Sequence, residues 1–439
     1  MFNLGLSIDN NNDSTEVEIL DNIMGSGKTT EIIKWMDSKY ATEKFIYVSP
    51  LLSEVKDGGR ISRDCKNVKF HFPHTEEHNT KTDHLLELLK QGLNVCCTHS
   101  LYLLMTNKHF QEIKKQGYTI IIDEELNIID SYDEYSPFDL DSLISLGCIE
   151  KQESDGMLVW VRDDENFDKS IHAYHKFKRH VENGLIYSTK RSDSMMVSQL
   201  PIKLFSVAKR TIIITYMFEG NVLSSFLKLK GIKYKPFTEV STKQIKKSDI
   251  KDLITLFRPD SKWVKINNLR LSNTWYTTSG KGNATESDIN FISKFIEYFA
   301  RKCDVDYKQI MYTFPKYRRW DSISTRGGVK RKVIKPRSLI DRKEDDGSVE
   351  KCWIATQTRA TNDYAHKTHL CHLFNRYPNR SVKAYLQDYG YDVNDDVFAL
   401  SELVQWVWRS AIRNNEPIVL CIASSRMKKL FMSWLDSGY

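Results

Sequence analysis

Residues 25–30 read GSGKTT and sit between an apolar run, EVEIL at 16–20, and an amphipathic stretch carrying Ile32, Ile33 and Trp35. A strand that turns through glycines into a helix aims backbone N–H groups and the helix N-terminus at one spot, which suits a phosphate. In that spacing Lys28 reaches the terminal phosphates of a nucleoside triphosphate and Thr29 holds Mg2+, with Gly25, Ser26, Gly27 and Thr30 completing the cradle. The pattern departs from GxxxxGK[ST] at its first position, where Asn22 stands in place of glycine. A chain committed to this turn is committed to a strand before it and a helix after it, and so to an α/β layer.

The first half keeps that alternation. KFIYVSP (44–50), LNVCCTHS (93–100), YTIIIDEE (118–125) and RTIIITYMFEG (210–220) read as buried strands, and DHLLELLKQG (83–92) and the stretch 101–116 as helices. Strands and helices alternating on so short a period predict a parallel sheet with right-handed crossovers. From 148 to 205 the pattern loosens into an accessory excursion with a helix near 167–183. Farther on, about 240–350 reads as an irregular basic insertion. QIMYTF (309–314), KCWIAT (351–356) and PIVLCIA (417–423) read as strands and SELVQWVWRSAIR (401–413) as a helix, which predicts a second α/β domain. The expected division is 1–220 and 221–439.

IIIDEE, at 120–125, carries a second constraint. A carboxylate closing a buried apolar strand is costly without a cation, so Asp123 is placed to bind the Mg2+ held by Thr29. Glu124, one residue on, can orient or deprotonate the attacking water. The two motifs together imply nucleoside triphosphate hydrolysis, with ATP and Mg2+ as the expected cofactors.

The chain has 439 residues with 41% hydrophobic and 28% charged content, which excludes disordered and collagen-like classes. Its apolar runs fall far short of the roughly 18 residues a membrane-spanning helix needs. The N-terminus lacks the basic segment and apolar run of a secretory signal, and eight cysteines form no CxxC pair, so a reducing, cytoplasmic setting is expected. Net charge is +7, but residues 1–220 carry −9 and residues 221–439 carry +16, which makes the second half the platform for a polyanion. In PKYRRWDSISTRGGVKRKVIKPR (315–337), Arg318 and Arg319 suit phosphates and Trp320 suits stacking on a base. HKTHLCH (366–372) has metal-ligand residue types but no partner cluster, and reads as a polar helix face.

Taken with DEEL (123–126), YVSPLL (47–52), THS (98–100), TYMFEG (215–220), RATND (359–363) and QWVWRSAIR (405–413), the chain resembles superfamily 2 helicases and translocases, particularly helicase-like proteins of phages and mobile elements. The resemblance implies an α/β fold of two RecA-like parallel-sheet domains with irregular insertions, closing on ATP. It implies nucleic-acid contacts from Pro50, Thr98, His99, Ser100, Arg359, Thr361 and Asn362, an approach to the nucleotide by Asp363, and a coupling role for TYMFEG. Gln405, Arg409 and Arg413 match the helix that supplies arginine fingers. On a helix, each step of four advances about 40°, which would keep both arginines near the face of Gln405. The expected activity is ATP-dependent translocation on nucleic acid, single-stranded or forked DNA before RNA, within a replication, recombination or repair complex. The alternative is an ATP-dependent nucleic-acid-binding switch or loader without processive unwinding.

Overall fold

The computed structural model describes residues 16–76, 79–162, 174–190, 195–277, 281–322, 325–326, 329–330, 332–358 and 363–437. The chain opens with β1 (Val17–Asp21) and turns into α1 (Lys28–Ser38), which buries Ile32, Ile33, Trp35 and Met36 along one stripe. β2 (Phe45–Ser49), α2 (Arg60–Asp64), β3 (Phe70–His71), α3 (Lys81–Lys90), β4 (Asn94–Thr98), α4 (Asn107–Gln116) and β5 (Thr119–Asp123) follow.

The accessory excursion then begins. β6 (Ile129–Ser131), α5 (Pro137–Ser145), β7 (Ile149–Lys151), β8 (Leu158–Trp160), α6 (His175–Glu182), β9 (Ile186–Ser188) and β10 (Met196–Gln199) make a small antiparallel sheet in the order β6-β10-β9 and a β7-β8 pair. Tyr132, Leu140, Phe177 and Ile186 give this module a core of its own. Part of the helix expected near 167–183 lies outside the described residues.

β11 (Arg210–Thr215), α7 (Val222–Leu229) and β12 (Tyr234–Pro236) return the chain to the first sheet. That sheet runs β12-β1-β11-β5-β2-β4-β3, and all its pairs are parallel. β2 and β5 are buried at every position, because helices cover both faces; this is why they read as unbroken apolar runs. The first sheet therefore holds the chain to Pro236, beyond the expected division at 220.

The second domain comprises β13 (Ile254–Leu256), α8 (Glu286–Lys302), β14 (Ile310–Thr313), β15 (His369–His372), α9 (Arg380–Asp388), α10 (Asp395–Val407), β16 (Ile418–Ile422) and α11 (Ser425–Asp436). Its sheet is parallel throughout, in the order β13-β16-β15-β14. The fold is thus α/β, with two RecA-like parallel-sheet domains.

Four expectations are corrected here. The region 240–350 is not simply irregular, since α8 runs 17 residues, opens with a reciprocal Thr285–Asp288 cap and buries Ile289, Ile292, Phe295, Ile296 and Phe299 in the second core. HLCH is a central strand rather than a polar helix face, with Leu370, Cys371 and His372 fully buried. KCWIAT is not a strand: its pairing with β14 stops at one bridge, in which the Tyr312 N–H donates to the Cys352 carbonyl at 2.9 Å and the Tyr312 carbonyl accepts the Ile354 N–H at 3.0 Å, while the Trp353 indole donates to the Phe314 carbonyl at 3.0 Å. The helix expected over 401–413 instead spans 395–407. Ser410 is extended, and the Ala411 N–H leaves the helix ladder for the Lys367 carbonyl at 2.9 Å.

Candidate active site

Gly25 and Gly27 carry φ values of 81° and 83°, a region that suits glycine, and let the chain turn at the mouth of α1. Asn22 needs no such freedom, because it is not among the positive-φ residues. Its side-chain oxygen accepts the Ile23 N–H at 2.7 Å, and its amide donates to the Thr242 hydroxyl. Ser26 is structural: its hydroxyl donates to the Ile23 carbonyl at 2.8 Å, and its carbonyl accepts the Lys243 N–H at 2.9 Å. The Lys28 ammonium is folded back on the carbonyls of Asn22 and Ile23. Burial lowers its pKa to about 8, against the pull of Asp123, Asp21 and Glu124.

Across the turn, the Thr29 hydroxyl donates to Asp123 at 3.3 Å and Tyr47 donates to the same carboxylate oxygen at 2.7 Å. Burial, then the charge of Glu124, pushes Asp123 up to about 6. A buried carboxylate and a buried ammonium that both pay for desolvation fit a cation and an anion arriving together. Thr29 and Asp123 therefore suit Mg2+, and Lys28 suits the phosphates it would carry. Glu124 has φ 64°, rare for a side chain with a Cβ, and its Oε2 is buried without a hydrogen-bond partner among the described residues. Such an atom, beside a metal-type carboxylate, is suited to hold a water.

These groups line one cleft of about 930 Å3 between the two domains. Gly25, Gly27, Lys28, Thr29, Thr30, Asp123 and Glu124 face Gln405, Trp408, Arg409 and Arg413. Trp408 closes on the turn so tightly that a Cβ on Gly25 would meet its indole nitrogen at 3.0 Å. Gln405 donates to the Ser401 hydroxyl at 3.1 Å, and Arg409 is buried. Arg413 stands at the rim, where desolvation and then the Arg60 guanidinium lower its pKa, while Glu124 and Glu54 raise it.

TYMFEG touches both domains. Thr215 donates to Glu125 at 2.9 Å, Tyr216 accepts from Trp434 of the second domain at 2.7 Å, and the Gly220 carbonyl accepts the Asn394 N–H at 2.9 Å. Thr98, His99 and Ser100 are not among the cleft-lining residues. Thr98 caps the helical turn His99–Tyr102, His99 bonds the Asp123 carbonyl at 2.8 Å, and Ser100 is exposed. Pro50 is half-buried past β2, and Asp363 is exposed away from the cleft lining. Arg359, Thr361 and Asn362 lie outside the described residues.

The residues expected at 318–320 to meet nucleic acid have partners within the protein. The Arg318 guanidinium is buried and donates to the carbonyls of Tyr276 and Lys332. Arg319 is bound to Asp341 at 2.5 Å and to Asp321 at 3.2 Å, and lies over the rings of Trp320 and Trp353. Trp320 packs on the second core. Arg318, Arg319 and Trp320 are thus engaged within the second domain. Sequence reasoning missed Tyr47, Arg60 and Trp408, whose contacts with Asp123, Thr30 and Gly25 are brought in by tertiary folding and leave no local spacing to read.

The fold and its cleft define a helicase-like architecture: a solved structure titled XPD helicase superposes with a TM-score of 0.51 at 12% identity, over 96% of this chain and 95% of that one. More particularly, the chain is 28% identical to an SPbeta prophage-derived uncharacterized protein, YonV, of Bacillus subtilis (strain 168), over 96% of this chain and 99% of that protein. Residues 248–435 match the YonV C-terminal Rossmann-like domain family. That match begins after β12, where the first sheet ends.

Proposed function

We propose that this chain is an ATP-hydrolysing motor that translocates on nucleic acid, DNA by preference, and separates its strands. The observation that carries the reading is the single cleft in which Lys28, Thr29, Asp123 and Glu124 of one domain face Gln405, Arg409 and Arg413 of the other. Lys28 leaves the loop carbonyls for the β- and γ-phosphates, and the N–H groups at the mouth of α1 hold the remaining phosphate charge. Thr29 and Asp123 would hold Mg2+, which when bound would supply neutralisation of the phosphate charge. Glu124 orients the attacking water and accepts its proton, and Arg413 meets the charge that develops on the terminal phosphate. Hydrolysis removes the group that draws Arg413 inward, so the cleft relaxes, and Thr215, Tyr216 and Gly220 pass that change between the domains. The charge of +16 over residues 221–439 supports a polyanionic track, held through its backbone and so with little sequence preference.

The test is steady-state ATP turnover by wild type and Lys28→Ala with no polymer, single-stranded DNA, duplex DNA or single-stranded RNA, at low and high salt. Turnover that rises severalfold with single-stranded DNA and vanishes in Lys28→Ala is expected. A wild-type rate indifferent to every polymer would refute the motor.

A further inference from the structure

We infer that Arg60 is a terminal-phosphate contact supplied by the first domain, facing Arg413 across the cleft, and that it lets the site tell a nucleoside triphosphate from a diphosphate. The inference rests on the nucleotide-site reading above. Arg60 opens α2 and lines the same cleft as Lys28, Thr29 and Asp123. Its Nη2 donates to the Thr30 hydroxyl at 2.8 Å, which fixes the guanidinium beside the phosphate-binding turn.

Its carboxylate partners are loose. Glu54 lies 3.8 Å from Nη1 and Asp64 3.4 Å from Nε, both longer than the 2.7–2.9 Å or so of a strong charge-assisted hydrogen bond. Glu54 Oε2 has no hydrogen-bond partner among the described residues. The closest contact of this cation is therefore a neutral hydroxyl, and a phosphate oxygen can displace the rest at little cost. The Arg60 guanidinium also lies close enough to help lower the pKa of Arg413 after desolvation, with Glu124 and Glu54 opposing. Arg60 and Arg413 line the same cleft, and two guanidiniums there offer an anion of high charge donors from both domains. A terminal phosphate meets both and a diphosphate, one phosphate shorter, does not.

The experiment uses the full chain and measures the affinity of fluorescent ADP and of a fluorescent non-hydrolysable ATP analogue, with Mg2+, for wild type, Arg60→Gln and Arg60→Lys. Thermal melting monitors the fold of each variant. Arg60→Gln is expected to weaken the triphosphate analogue by about tenfold or more while ADP stays within about twofold, and Arg60→Lys, which keeps the charge but loses the fork, falls between. Equal weakening of both nucleotides, or of neither, would overturn the assignment and leave Arg60 a structural tie to Thr30. Should Arg60→Gln fail to fold, Arg60→Lys decides alone by the same ratio. Wild type that binds neither nucleotide would overturn the nucleotide-site reading itself, a result distinct from an unchanged ratio.

Discussion

Glu124 is the residue where stability and chemistry diverge. Its backbone sits at φ 64°, and its Oε2 is buried without a hydrogen-bond partner among the described residues. A non-glycine residue held there costs about 1–2 kcal/mol, part of which glycine returns as unfolded-chain entropy. Glu124→Gly is therefore expected to raise the denaturation midpoint by about 0.5–1 kcal/mol of stability while lowering ATP turnover by about a hundredfold or more. A variant less stable than wild type would contradict the strain, and one that still turns over would contradict the role proposed for Glu124. At the same scale, Lys28, Thr29, Asp123 and Glu124 were legible because each belongs to a short motif with a mechanism attached. Tyr47 was not: its hydroxyl meets Asp123 only because β2 and β5 pair in register, which no local spacing announces. Asn22 was legible as a departure, but its harmlessness was not, since that depends on its backbone staying out of positive φ and on Thr242 arriving from 220 residues away.

Among the elements, α9 has the widest reach. It follows β15 of the second domain, yet Val382, Tyr385 and Leu386 join the first-domain core beside Val197, Phe226 and Leu227. The Tyr385 hydroxyl donates to the Asp155 carbonyl at 2.7 Å, the Lys190 N–H donates to Asp388 at 2.7 Å, and Asn379 donates to Ser131 at 3.0 Å. The accessory module is thus clasped to the second domain. Tyr385→Ala is expected to cost about 3–5 kcal/mol, as large-to-small changes of a buried aromatic do, and to raise hydrogen exchange in β9 and β10 before β1. Exchange rising in the second sheet alone would count against the clasp. The sequence carried enough to place α8, because Ile289, Ile292, Phe295, Ile296 and Phe299 keep a helical period after a Thr285–Asp288 cap; the surrounding charge hid it. It did not carry β15, since a strand buried on both faces needs no alternation, and its two histidines drew the eye to polarity. The end of α10 was equally hidden, being decided by the Lys367 carbonyl that takes the Ala411 N–H.

For the molecule as a whole, the two domains meet around the glycine turn that precedes α1. The segment joining them runs over that turn, with the Lys243 N–H on the Ser26 carbonyl and Thr242 on Asn22, and Trp408 closes on Gly25. Trp434 reaches Tyr216, next to the Thr215 that holds Glu125. A change at phosphates bound on the proposed site would therefore have short routes into the second domain, which a motor and a switch both require. Neither role follows from the fold alone, because one fold hosts many functions. On the proposed mechanism, the second domain completes catalysis across the cleft. The most direct test is kcat and KM for ATP in Arg413→Ala, at saturating single-stranded DNA, beside wild type. A fall in kcat of about a hundredfold or more with nucleotide affinity little changed is predicted, as for loss of an arginine finger; a kcat within about twofold of wild type would contradict it.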